Sequence, residues 1–452
     1  MRVTILGGGG FRVPLISRQL AVHDLPVSQV VLYDTDPARL AVIAAVLSGD
    51  PATATLPVAA TTDLDSALRG ADVIFSALRP GGLDGRVRDE RAALGLGVIG
   101  QETVGAGGLL SAFRTVPVVA AIAQRIAALA PEAWVISMTN PAGIVTEVTA
   151  ATLGSRVIGV CDSPVGLIRR ACAAAGADPG PSLGAVTDRV DADYLGINHL
   201  GWLRGLRVAG ADLLPGLLDF PQRLVLTEEG RLFGADVLRS LGALPNEYLY
   251  WYYARGEALR DVLAAGRTRG EHVRERQLAF YDEAAAAAPA AAARAWQAAN
   301  DERNRSYFAE LRTGPGAGER DEADVAAGGY ESVALALAAA LCGGPPARLI
   351  LNVPNAGTVP ALSPETVIEV PCQVGANGPV PLPVSPPSAH ELGLMAAVRS
   401  CERNIADASL AAPGDPARAR ELALRAFATH PLVGSLDAAR ALTASLPLGS
   451  AA

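Results

Sequence analysis

The chain opens on a strand, a run of four glycines and a helix, in that order. Arg2-Val3-Thr4-Ile5-Leu6 is β-branched and apolar, Gly7-Gly8-Gly9-Gly10 follows at once, and a helical pattern runs from Val13 to Ala21. A strand that turns sharply into a helix is the first half of a βαβ unit, and this confines the fold to a small set. Glycines there let the backbone approach a pyrophosphate, and a helix N-terminus offers amide donors and a positive dipole end. The strict Gly-x-Gly-x-x-Gly spacing is not met, because Gly7-x-Gly9 leads to Arg12 and Gly8-x-Gly10 leads to Val13. An ordinary tight turn is therefore an alternative reading of the same residues.

The next segments keep the rhythm. Gln29 to Asp34 reads as a second strand ending on an acid, where a Rossmann-type unit places the carboxylate that bonds the adenosine ribose hydroxyls. An acid at that position disfavours a 2′-phosphate, so NAD is expected rather than NADP. Asp34 could instead cap the following helix, although Asp36, just before Pro37, suits that task better. Further strands are expected at about 58–62, 72–77 and 134–138, with a long helix from about 111 to 129. A last strand, Arg156 onward, ends on Cys161-Asp162, with Pro164 blocking its simple continuation. Strands alternating with helices in this way predict a doubly wound, largely parallel sheet.

Beyond about residue 185 the pattern changes. Strand-like, turn-rich segments run to about 225, a tyrosine-rich helical patch covers 246–253, and an alanine-rich helix, interrupted at Pro289, covers 284–299. Residues 313–330 read as a mobile loop, 353–384 as turns and short strands, and helices return from about 389. The expected division is a Rossmann-type domain over 1–165 and an α+β substrate and metal domain over 166–452.

Half of the 452 residues are hydrophobic and 19% are charged, enough for a sizeable core and too apolar for global disorder. A net charge of −8 argues against a nucleic-acid-binding surface, though a few local arginines could still bind an anionic substrate. The five cysteines (Cys161, Cys172, Cys342, Cys372 and Cys401) are scattered and include no Cys-x-x-Cys pair. That is neither a disulfide framework nor a structural zinc site. The sequence starts on its first strand without a signal-like region, and no uninterrupted apolar run reaches the roughly 18 residues that span a bilayer. A soluble cytoplasmic protein is expected.

Several stretches, taken in order, resemble the family 4 glycoside hydrolases, the NAD- and metal-dependent glycosidases. They are Gly7 to Gly10, Gly100-Gln101-Glu102-Thr103 with Gly105-Ala106-Gly107-Gly108, Thr139-Asn140-Pro141, Cys161-Asp162, Asn198-His199-Leu200-Gly201-Trp202, Asn246-Glu247-Tyr248-Leu249 and Leu351 to Gly357. The resemblance implies an N-terminal Rossmann-type doubly wound parallel sheet of the lactate/malate dehydrogenase kind, followed by a C-terminal α+β catalytic domain. It implies Cys161 and His199 as ligands of a divalent metal, usually Mn2+, Asp162 as the acid that protonates the leaving oxygen, and Tyr248 as the base at sugar C2. Asn140, Arg86 and Arg269 correspond to substrate-binding positions, and Asp34 with the 7–10 turn to the NAD site. Tyr252, four residues beyond Tyr248, is the alternative base.

The chemistry so implied suits these residue types. Oxidation of the sugar C3 hydroxyl by NAD acidifies the C2 proton, the metal stabilises the resulting enediolate, and the aglycone leaves C1 by elimination. Water adds and the hydride returns, so no pair of catalytic carboxylates is needed. A thiolate and an imidazole leave a metal open positions for substrate, although ligand chemistry alone would suggest zinc or iron. The expected substrate is a small (phospho)glycoside, foremost a 6-phospho-β-glucoside. α-Glycosides and non-phosphorylated galactosides or glucuronides are alternatives, and Cys161-Asp162 is the form more typical of the α branch. A homodimer or homotetramer is expected, with neither nucleic acid nor membrane as partner. The rival readings are a malate- or lactate-type dehydrogenase, which would accumulate NADH, and a non-catalytic NAD- or sugar-sensing protein.

Overall fold

The computed structural model describes residues 1–22, 25–178, 189–306 and 329–448. The six strands of the first half form where the β-branched runs predict them: β1 (Arg2–Leu6), β2 (Gln29–Tyr33), β3 (Val58–Thr61), β4 (Val73–Ser76), β5 (Trp134–Ser137) and β6 (Val157–Gly159). All pair in parallel in the order β3-β2-β1-β4-β5-β6, the doubly wound arrangement expected of the opening motif. β1, β4 and β5 are almost wholly buried because helices cover both faces.

The sheet does not stop at β6. β11 (Ala347–Pro354) adds to it antiparallel, and β12 (Val367–Gly375), β7 (Val190–Ile197), β8 (Leu200–Val208) and β10 (Leu244–Pro245) continue the same sheet. β9 (Ala211–Asp212) and β13 (Gly378–Pro381) pair with β8 and β12 at its margins. At the join Asn352 of β11 lies opposite Gly159 of β6. A Cβ on Gly159 would stand 2.4 Å from Thr146 Oγ1 and 2.8 Å from Asn352 Cβ, so the Thr146 and Asn352 side chains packed against the strand leave room only for glycine there.

Three helices depart from the sequence reading. The helix expected from Ser111 begins at Gly105, so the Gly105-Ala106-Gly107-Gly108 run is its first turn. This 25-residue helix is long and apolar enough to cross a membrane by length and composition. Its core-facing side is buried within the fold, however, and Arg114 and Arg125 on it pair with Asp89 and Asp65. The alanine-rich segment is two helices, Arg269–Ala285 and Pro289–Arg305, with Pro289 opening the second, the position that tolerates it best. The stretch read as a loop at 313–330 lies, up to 328, outside the described residues. The segment 353–384 is more regular than expected, since β12 is a nine-residue strand with Val367 to Cys372 buried.

Helices Pro289–Arg305 and Pro37–Gly49 pack tightly, and a Cβ on Gly49 would stand 2.0 Å from the Pro289 carbonyl oxygen. Gly49→Ala should therefore cost about 1–3 kcal/mol through overpacking, read as a lower urea midpoint. An unchanged midpoint would show that the helix pair separates freely.

Candidate active site

The site forms around the join in the sheet. Gly159, Asn352, Glu369 and Gly196 are successive partners across β6, β11, β12 and β7. Cys161 follows Gly159 by two residues and His199 follows Gly196 by three. Glu369, in the middle of the row and fully buried, accepts from Asn352 Nδ2 (2.9 Å), Tyr194 Oη (3.0 Å) and Asn198 Nδ2 (3.4 Å). Burial raises its carboxyl to about 7 against those three bonds, and Asp162 adds to the rise. Burial, then Glu369 and Asp162, likewise push the Cys161 thiol well above its ordinary value. Cys161 is thus a dry sulfur in an acidic neighbourhood.

Asp162 is half-buried at the start of helix Ser163–Ala174. Ser163 Oγ donates to Glu247 Oε1 at 2.8 Å, tying the Cys161-Asp162 segment to the Asn246–Tyr248 segment. His199 occupies the tight β7–β8 turn with φ 62°, a left-handed conformation that costs energy for a non-glycine residue. Its imidazole lies flat on the Tyr248 ring, with centroids 3.7 Å apart and planes 1° from parallel. Nδ1 of His199 is 2.9 Å from Thr103 Oγ1, whereas Nε2 is buried with no hydrogen-bond partner. Burial holds the imidazole near a pKa of about 3, so it is neutral and able to act as a ligand at physiological pH.

Beside Tyr248 opens a cleft lined by Arg86, Glu90, Glu102, Arg267, Arg269 and Arg303 among others. Arg86 is not a surface charge: it is buried, with Nε on Glu90 Oε1 (2.7 Å) and Nη1 on Glu102 Oε2 (2.8 Å). The other Glu90 oxygen accepts from the Gly270 amide at 2.9 Å, so one carboxylate positions Arg86 and the helix end that carries Arg269. Arg269 Nη1 donates to Ser306 Oγ and Nη2 to the Arg303 carbonyl. Burial, Arg12 and Arg269 depress Arg303 to about 9, Glu102 opposing them, and its Nε is buried without a partner. Glu102 is held at about 2, because Arg86 and Arg79 outweigh the effect of burial.

At the C-terminal ends of β1 and β2, the four glycine amides donate within the protein. Gly7 and Gly8 donate to the Tyr33 carbonyl, Gly9 to Asp34 Oδ2 and Gly10 to the Gly7 carbonyl. The glycines thus serve close packing: Gly7, with φ 82°, would put a Cβ 2.6 Å from the Ala77 carbonyl oxygen. Asp34 also accepts from the Asp36 amide, and Asp36 caps the next helix, as expected of it. A carboxylate has about four acceptor sites, so these two bonds leave Asp34 capacity for a ribose. Tyr281 Oη donates to the Gly9 carbonyl and Trp296 Nε1 to that of Phe11, so the helices bearing Arg269 and Arg303 also clasp this turn. Asn140 is half-buried at the end of β5, preceding the helix whose Gly143 approaches Asn198.

Among the described residues, no group of three or more His, Cys, Asp or Glu side chains is arranged to hold a metal. The fit to a metal therefore rests on two donors, Cys161 and the unpartnered Nε2 of His199. A soft sulfur amid carboxylates and a neutral imidazole suit a divalent cation whose remaining positions go to substrate or water. Of the other tyrosines, Tyr252 lies beside His430, Tyr250 packs on Phe233, and Tyr253 bonds Trp202 Nε1 and His390 Nε2. Tyr248 sits in a 3-10 turn, Glu247–Leu249, that runs directly into the short helix Tyr250–Tyr253 carrying Tyr252.

Glu369 and Arg303 escaped the sequence reading. A carboxylate within Val367-Ile368-Glu369-Val370 was a legible signal, since an apolar strand excludes such a group unless it has partners. Arg303, in the polar run Asp301–Arg305, carried no signal at all.

Residues 2–175 match the model described as "Family 4 glycosyl hydrolase", and residues 194–433 match that of its C-terminal domain. A 6-phospho-beta-glucosidase of Escherichia coli is 28% identical over 91% of this chain and 88% of its own. A 6-phospho-alpha-glucosidase from gut microorganisms, solved with NAD and glucose-6-phosphate, is 25% identical with a TM-score of 0.76, over 98% of this chain and 96% of its own. The 6-phospho-beta glucosidase of Thermotoga maritima, solved with manganese, NAD+ and glucose-6-phosphate, shares the fold at 24% identity and a TM-score of 0.77, over 98% and 97% of the two chains.

The Glu102 carboxyl, lowered from 4.5 to about 2, contributes stability that is fully present above about pH 4.5 and lost as pH falls towards 2. That contribution is on the order of 3 kcal/mol at neutral pH. Glu102→Gln should thus be less stable than the parent at pH 7, with the gap closing near pH 2, as read by urea unfolding across pH. A gap independent of pH would refute the assignment.

Proposed function

The chain belongs to the family 4 glycosyl hydrolases, and we propose that it hydrolyses 6-phosphoglucosides, foremost 6-phospho-β-glucosides, with NAD and a divalent metal as cofactors. The observation that carries this reading is the cleft beside Tyr248, where Arg86, Arg269 and Arg303 converge. A guanidinium cluster in which burial, then repulsion from neighbouring arginines, depresses one member suits a dianion better than a neutral hydroxyl, and planar bidentate donors match phosphate. The glucose-6-phosphate bound by two solved neighbours supports it.

When bound, NAD would supply a reversible oxidation at sugar C3, and the metal a Lewis acid for the sugar oxygens. Cys161 and His199 would hold the metal, which the Thermotoga neighbour suggests is manganese; Asp34 would hold the adenosine ribose of NAD, and the 7–10 turn would let its pyrophosphate come close. Tyr248, fixed by its stack on His199, takes the proton from C2. Asp162, one residue from Cys161, gives a proton to the glycosidic oxygen. The arginines orient the sugar through its phosphate, and Asn140 binds the sugar at the end of β5. Burial of Tyr248 and Cys161 keeps bulk water from the reacting carbons. An α-linked substrate is the second reading, because the carboxylate directly after Cys161 is the form typical of that branch.

With NAD, manganese and a thiol, p-nitrophenyl β-glucoside 6-phosphate should release nitrophenol without accumulating NADH. Release from the α anomer alone would select the second reading. Silence on both anomers, with NADH formed from a 2-hydroxy acid, would overturn the glycosidase assignment. Cys161→Ser should abolish metal-dependent turnover, and full activity in that variant would refute it as a ligand. Arg303→Met should raise KM for the phosphorylated substrate about tenfold or more, by loss of charge-assisted bonds. An unchanged KM would remove Arg303 from the phosphate site.

A further inference from the structure

The segment Gln101–Thr103 lies against the first turn of helix Gly105–Leu129. A Cβ on Gly107 would stand 2.1 Å from the Gln101 carbonyl oxygen, and one on Gly108 2.6 Å from that of Thr103. Both glycines therefore serve to seat this segment, and its side chains lead to His199.

Gln101 Oε1 faces three donors: the Thr103 amide (2.6 Å), the Val104 amide (2.9 Å) and the Thr103 hydroxyl (2.9 Å). An atom surrounded by two backbone N–H groups is the amide oxygen and can only accept. The single hydroxyl proton of Thr103 is thus directed to Gln101, and towards His199 Nδ1 at 2.9 Å the threonine oxygen can only accept. Nδ1 must then carry the imidazole proton. A neutral imidazole has one N–H, so Nε2 presents a bare lone pair. That atom is the one left buried and without a hydrogen-bond partner. A dry lone pair of this kind is costly unless an electrophile meets it.

We propose that Thr103, oriented by Gln101, is a positioning residue that fixes the His199 proton on Nδ1 and so presents Nε2 to the divalent metal. The proposal rests on the metal reading above. Ligating histidines are commonly held through their second nitrogen, and loss of such a partner weakens metal binding roughly 10- to 100-fold.

The test combines two readouts on the full-length protein. Long-range 1H–15N spectra of 15N-histidine-labelled, metal-free protein, with His199 assigned by His199→Gln, report which ring nitrogen bears the proton. Manganese titration followed by electron paramagnetic resonance reports affinity without turnover. The parent should show the Nδ1–H tautomer. Thr103→Val, which keeps the shape and removes the acceptor, should shift it to a mixture and raise the manganese Kd roughly 10- to 100-fold. Thr103→Ser should restore both to near the parent values, which a purely packing role for the threonine methyl would not allow. An Nε2–H tautomer in the parent, or a folded Thr103→Val with unchanged tautomer and Kd, would overturn the proposal. An Nδ1–H tautomer lost in Thr103→Val, in a protein that binds no manganese, would instead sink the metal reading and leave Thr103 as the residue that sets the proton.

Discussion

The hydrogen bond from Asn352 Nδ2 to Glu369 Oε1 lies at the point where the two halves of the chain become one sheet. A carboxylate with no solvent exposure is tolerable only if its oxygens are met, and three side chains from two stretches of the chain meet this one. The requirement works in both directions. Glu369 keeps β11, β12 and the β7–β8 turn in register, and its charge falls on the neighbourhood of Cys161. A residue that would be a defect in an ordinary strand is here the link between fold and site.

The site has two electrical poles. On one side Glu369, Asp162 and Glu247 surround a buried thiol, an environment that favours a cation. On the other, Arg86, Arg269 and Arg303 line one cleft, with Glu90 and Glu102 as the counter-charges of Arg86. A ligand carrying a metal-binding diol at one end and a phosphate at the other would complement both poles at once. Glu102 belongs to the arginine pole and its field reaches His199, so the Gly100–Thr103 segment serves both.

Much of the mechanical support comes from the C-terminal half. Helices Arg269–Ala285 and Pro289–Arg305 hold the glycine turn through Tyr281 and Trp296, and they also carry Arg269 and Arg303. Distance between the turn and the cleft is thereby set by rigid helices rather than loops. Glu90 completes the frame, because it bonds both Arg86 and the amide that follows Arg269.

The sequence by itself determined the first half of the fold and the candidates for the site. Strand, glycine turn and helix at the start, and β-branched runs at regular intervals, are local patterns that need no partner to be read. The ordered motifs that carry Cys161, Asp162, His199 and Tyr248 were legible for the same reason. Antiparallel continuation of the sheet was not legible, because β11 and β12 join strands that lie far away in the chain, and pairing across such distances leaves no local trace. The tertiary structure alone decided that Arg303 lines the cleft and that Glu369 lies in the row between the strands that lead to Cys161 and His199. It also decided what Thr103 does. A threonine in a motif could cap, pack or donate; only the positions of Gln101 and His199 around its single proton leave it one role.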